Sequence, residues 1–163
     1  MREKMMEKKP LIIITGPTAV GKTELSISLA KKIGGEIISA DSMQVYKHMD
    51  IGTAKIMPDE MQGIKHYLID ELEPDEEFNV TVFKKKCDKY IEEIYSKGKV
   101  PIIVGGTGFY IQAVLYDIDF TKTDADDSYR KELQRFADEN GNMALHDRLK
   151  EVDEKSAVQI HPN

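Results

Sequence analysis

The sequence has a single cysteine, no tryptophan and no surplus of positive charge. Cys87 has no second thiol in the chain, so no internal disulfide forms. None is needed: a domain of 163 residues buries about two thirds of its unfolded surface. Lysines and arginines number 23 against 29 aspartates and glutamates, a net charge of −6, which excludes a strongly basic nucleic-acid clamp. The apolar run after the charged first residues, 11–14, is far too short for a leader or a membrane span. A soluble, cytoplasmic, monomeric protein with no membrane contact is expected. His48, His66, His146 and His161 lack the spacing of a metal cage. No internal repeat or low-complexity linker interrupts the chain.

What charge there is divides unevenly. Residues 1–110 carry 16 basic and 17 acidic side chains, whereas residues 111–163 carry 7 and 12. The acidic excess therefore belongs to the last third. An acidic stretch over residues 70–77 reads as a solvated loop, and the run Lys84, Lys85, Lys86 as a solvated helix face.

Apolar runs give the organisation. Residues 11–15, bounded by Pro10 and Gly16, predict a strand buried on both faces. A helix over 22–33 follows, with Leu25, Leu29 and Ile33 as its apolar positions and Gly34-Gly35 as its stop. Residues 36–40 predict a second strand, 41–65 a loop with short helical pieces, and 66–70 a third strand. Phe83, Cys87, Tyr90 and Ile94 form one helical stripe over 81–96, ended by Gly98, which makes Cys87 core rather than nucleophile. A buried strand over 100–104 then turns through Gly105, Gly106, Thr107 and Gly108 into a helix reaching Leu115. The alternation predicts an α/β fold, a P-loop NTPase-like, mostly parallel sheet flanked by helices over residues 1–116. Residues 117–163 predict no strand; helices near 127–138, 142–150 and 153–160 make a partial helical appendage.

Between the first strand and first helix stands Gly16-Pro17-Thr18-Ala19-Val20-Gly21-Lys22-Thr23, which fits G-x-x-x-x-G-K-[ST] in the context its mechanism requires. Loop amides and the helix N-terminus cradle phosphate oxygens, Lys22 neutralises the terminal phosphate, and Thr23 offers a hydroxyl to Mg²⁺. The loop says what is held and leaves the acceptor open. A hydroxyl, water, or a group that attacks carbon with diphosphate departing are all compatible. Two apolar runs end in an aspartate that could hold the metal, at Asp41 and at Asp70; Asp41, just beyond the second strand, can face the phosphates as metal ligand or as general base.

Three stretches together resemble the tRNA dimethylallyltransferases: the phosphate loop; Asp41-Ser-Met-Gln-Val-Tyr46 with Met49-Asp-Ile-Gly-Thr-Ala-Lys55; and Gly105-Gly-Thr-Gly-Phe-Tyr110 before Ile111. His66-Tyr-Leu-Ile-Asp70 and Ile160-His-Pro-Asn163 fit the same family. The resemblance implies transfer of a dimethylallyl group from dimethylallyl diphosphate to N6 of the adenosine beside the tRNA anticodon, with Mg²⁺ as cofactor and the anticodon stem-loop as partner. It implies that Asp41, Thr107 and Lys22 serve catalysis and that residues 16–23 hold diphosphate in place of ATP. It also implies that Asp41, Ser42, Met43, Gln44, Thr107 and Arg130 approach tRNA. Without it, Gln44, Thr18 and Thr107 read as loop or turn residues, Arg130 as a surface arginine near Lys131 and Arg135, and Tyr46 and Tyr110 as packing residues. Family members run to nearly twice this length, with an arginine-rich tRNA-gripping segment and the completion of the sheet beyond Asn163. The chain is thus expected to be the N-terminal part, keeping the motifs without full activity. A nucleotide or small-molecule kinase, a fragment that binds diphosphate without turnover, and the related adenylate isopentenyltransferase are the competing readings.

Overall fold

Isoleucine and valine runs bounded by glycines build the sheet. The structure, a computed structural model, describes residues 9–120 and 127–162. The elements are β1 (Ile12–Thr15), α1 (Lys22–Ile33), β2 (Gly35–Ser39), β3 (His66–Tyr67), α2 (Val80–Ser96), β4 (Val100–Gly105), α3 (Gly108–Leu115), α4 (Asp127–Asn140), α5 (Asn142–Val152) and α6 (Glu154–Gln159). All strand pairs are parallel, in the order β1-β4-β2-β3, giving the expected α/β class. Contacts divide the chain into two units, Met1–Ile118 and Asp119–Asn163.

In the first unit, alternation along the strands feeds two cores. Ile37 and Ile102 join Ile27 and Ala30 of α1, while Ile38 and Ile103 join Phe83, Cys87 and Ile94 of α2 and Tyr110 of α3. Thr15 pairs with Gly105 and Ser39 with Val104, so the carboxyl ends of β1, β4 and β2 finish level. Helix α2 starts where the Asn79 side chain accepts from the amides of Thr81 and Val82. Its predicted stripe is the buried face: Phe83, Cys87 and Ile94 are fully buried. Burial pushes the Cys87 thiol up to about 12, as suits a packing residue. Tyr110 stacks on Phe83 at 4.4 Å, and Tyr46 meets Phe78 edge-on, so both tyrosines pack.

Several expectations are corrected. Strand β1 is an edge strand, only partly buried, because β4 is its sole partner among the described residues. Helix α1 buries Ser26, Ile27 and Ala30, while Leu25 and Ile33 are exposed: small residues let the helix sit close to the sheet, and the leucine spacing follows its edge. Strand β3 has two residues because Leu68 and Asp70 are left-handed, with φ of 59° and 52°. No helix forms among residues 41–65, which run through turns. Lys84 is buried rather than solvated, its ammonium donating to Asp88 (2.5 Å) and Asp117 (2.9 Å).

The second unit is α4, α5 and α6. Asp153 caps α6 by accepting from the Ser156 amide, and His146 Nε2 lies 2.9 Å from the carbonyls of both Ala157 and Ile160. An apolar cleft of about 350 Å³ includes Tyr129, Leu133, Leu145, Leu149 and Val152. The expectations for residues 121–126 lie outside the described residues.

Candidate active site

The turn from β1 to α1 forms the 16–23 loop. Gly21 enters α1 with φ 84°, a conformation glycine adopts without a Cβ penalty, and no side chain caps the helix. The first-turn amides therefore remain available to anionic oxygens, aided by the helix dipole. The Lys22 ammonium arches back over the loop, donating to the carbonyls of Gly16 (2.8 Å) and Pro17 (2.5 Å). Ser26 Oγ, beneath, donates to the Thr23 carbonyl at 2.8 Å.

A second close approach brings the acidic segment alongside. A Cβ on Gly105 would lie 2.2 Å from the Ala40 carbonyl oxygen, so only glycine lets the end of β4 pass there. Ala40 N donates to Val104 O at 2.8 Å and Thr107 N to Ala40 O at 3.3 Å, fixing the exit of β2 beside the Gly105–Gly108 turn. Asp41 follows directly. Its Oδ1 accepts from the amides of Met43 (2.9 Å) and Gln44 (3.3 Å), which orients the carboxylate through one oxygen and leaves Oδ2 available.

Loop, Asp41 and glycine turn border one cavity of about 790 Å³. Of the residues singled out in the sequence, Thr18, Ala19, Gly21, Lys22, Thr23, Asp41, Met43 and Gln44 line it. Gly16, Pro17 and Val20 shape the loop without lining the cavity, and Ser42 and Thr107 stand next to lining residues. Arg130 is an exposed residue of α4, in the second unit. The rest of the lining includes Ser39, Met49, Ile51, Gly52, Thr53 and Ala54, which sequence reasoning did not single out as site residues. Gln44 explains how they are held: its amide nitrogen donates to the carbonyls of Thr53 (3.2 Å) and Ala54 (3.1 Å), while its oxygen accepts from Ser39 Oγ (3.3 Å). The Asp-Ile-Gly-Thr-Ala-Lys wording was the available signal, but spacing alone did not reveal these bonds.

Among the described residues, no group of three or more His, Cys, Asp or Glu could hold a metal ion. Thr18, Thr23, Glu24, Ser39 and Asp41 bring oxygen-bearing side chains to the lining of the same cavity. That set suits Mg²⁺ arriving on a phosphate and retaining waters, rather than an ion caged by protein. Nearby, burial holds His66 below its ordinary value, and Nδ1 lies 2.9 Å from the Ile64 carbonyl.

The family model described as IPP transferase matches residues 44–163. The chain belongs to the IPP transferase family. It is 70% identical over 155 residues to a tRNA dimethylallyltransferase of Lachnoclostridium phytofermentans, spanning 95% of this chain and 50% of that protein. A tRNA dimethylallyltransferase of Clostridioides difficile is 55% identical over 158 residues, 97% of this chain and 51% of its own. The full-length tRNA isopentenylpyrophosphate transferase of Bacillus halodurans superposes with a TM-score of 0.69 at 50% identity, covering 96% of this chain and 52% of that one. A eukaryotic dimethylallyltransferase acting on tRNA gives 0.80 at 36% identity, covering 96% and 39%. The chain thus spans about half the length of the curated IPP transferases it matches. No described helix is long and apolar enough to cross a membrane.

Proposed function

We propose that this cavity binds dimethylallyl diphosphate and that the whole protein transfers the dimethylallyl group to N6 of the adenosine adjacent to the anticodon in tRNA. The observation that carries the reading is the joining of a phosphate cradle and an oriented carboxylate with one available oxygen in a single cavity.

The residues divide the work. The loop amides and Lys22 bind the diphosphate and stabilise the charge that develops as the carbon–oxygen bond breaks, an effect worth several kcal/mol in enclosed sites. Thr23 would hold Mg²⁺ with the substrate phosphates, and the ion supplies further neutralisation of the leaving group. Asp41 Oδ2 accepts the proton that N6 gives up as the new carbon–nitrogen bond forms. A positioned carboxylate contributes about 10²–10⁴-fold to such a step. The adenine must leave its stack to enter, and Thr107, bonded through its amide to Ala40, stands beside the path with Ser42 and Met43. Arg130 contributes to holding the anticodon stem-loop. The protein works as a cytoplasmic monomer.

Equilibrium binding with Mg²⁺ tests the reading. Dimethylallyl diphosphate is expected to bind more tightly than ATP; preference for ATP, or transfer of its γ-phosphate, would overturn it.

A further inference from the structure

Behind part of the cavity lining lies a buried ammonium that the transfer chemistry does not use. The Lys55 side chain is 1% exposed. Its Nζ donates to Asp50 Oδ1 (2.7 Å), Asp70 Oδ1 (2.5 Å) and the Tyr46 carbonyl (2.7 Å). Three donors meet three acceptors, so none is left for a phosphate. Burial works to lower the Lys55 value, yet the bonds to Asp50 and Asp70 carry it above the ordinary range, so the charge stays on.

The segments tied together are strained. His48 and Ala54 in the loop, and Leu68 and Asp70 after β3, all have positive φ, between 49° and 63°. Non-glycine residues hold such conformations only where their surroundings over-determine them. Lys55 supplies part of that determination, joining the 49–54 turn to the end of β3. Gln44 holds the same turn through the carbonyls of Thr53 and Ala54.

The turn is unsuited to phosphate. Its lining residues, Met49, Ile51, Gly52, Thr53 and Ala54, bring no cation, and Ile51 is fully exposed. Exposed apolar surface in a cavity that also holds a phosphate cradle fits an uncharged hydrocarbon attached to a diphosphate. We infer that Lys55 is a positioning residue: it holds the 49–54 turn as the surface on which the donor's hydrocarbon tail packs, and so sets the preference for a prenylated over a bare diphosphate. The inference rests on the donor proposed above.

Titration with two probes, inorganic diphosphate and dimethylallyl diphosphate, each with Mg²⁺, tests it. The wild-type chain is expected to prefer the prenylated probe. Lys55→Met keeps the unbranched stem, one atom shorter, and removes the charge; Asp50 and Asp70 are about half exposed and can rehydrate. That variant is expected to lose roughly tenfold in preference, a fraction of the transfer energy of a five-carbon group, with inorganic diphosphate unchanged within about twofold. Asp70→Asn, which keeps an acceptor, is expected to shift the preference in the same direction by less, and it carries the test if Lys55→Met does not fold. An unchanged preference in a folded variant would overturn the inference, as would equal weakening of both probes, the signature of general structural loss. A wild-type chain with no preference would instead overturn the donor reading itself.

Discussion

The two ends of the sheet use the same residue types in opposite ways. At the amino end of β2, Glu36 is 4% exposed and saturated: Lys99 donates to Oε1 (2.7 Å), and Tyr67 (2.7 Å) and Lys97 (3.2 Å) donate to Oε2. Burial alone would raise its carboxyl, but the bonds from Lys99, Tyr67 and Lys97 bring it below the ordinary value. Burial also pushes the Tyr67 hydroxyl up to about 12. At the carboxyl ends, among the described residues, Lys22 donates only to loop carbonyls and Asp41 is engaged through one oxygen, and both line the cavity. The charges at the amino end are bonded to one another, whereas Lys22 and Asp41 are bonded to backbone groups beside the cavity.

Exchanging these roles by mutation should separate the ends. Lys22→Ala is expected to weaken diphosphate binding by roughly 100-fold, the loss of charge-assisted bonds, while the urea midpoint barely moves. Glu36→Gln should do the reverse, costing about 2 kcal/mol of stability by urea titration while diphosphate affinity stays put, because two lysines and a tyrosine lose a charged acceptor. The sign in pH follows from its lowered folded value. The Glu36 contribution is fully present above the unfolded value of 4.5 and is lost as pH falls through the folded one.

A smaller effect concerns His66, whose folded value lies below the unfolded 6.5. The unfolded chain takes up the proton first, so His66 lowers stability as pH falls from 6.5 toward the folded value, and His66→Gln should flatten that part of a stability–pH curve. The smallest effect is at Cys87, whose raised thiol and complete burial predict negligible alkylation by iodoacetamide until the chain unfolds.

The sequence was legible where periodicity and chemistry coincide. Phe83, Cys87, Tyr90 and Ile94 are apolar at helical spacing and lie on α2 as read, and the motif over 16–23, with glycine, lysine and threonine at fixed offsets, falls between β1 and α1 as its spacing requires. It was less legible where burial runs against residue type. Lys55 and Lys84 are lysines inside, each held by one carboxylate close in sequence, Asp50 and Asp88, and by a second one, Asp70 and Asp117, 15 and 33 residues away, a separation no local pattern spans. The buried face of α1 includes Ser26, and its exposed side carries Leu25, so the apolar stripe misled. The end of β3 depended on left-handed Leu68 and Asp70, which an apolar run does not reveal.

On the proposed function, one cavity seats a diphosphate on the loop and turns its carbon toward Asp41. A crystal structure with Mg²⁺ and the non-hydrolysable dimethylallyl thiolodiphosphate tests it most directly. The diphosphate is expected on the amides of the 16–23 loop, the hydrocarbon along the 49–54 turn, and the reacting carbon facing Asp41. Phosphates bound away from the loop, or a hydrocarbon directed away from Asp41, would contradict it.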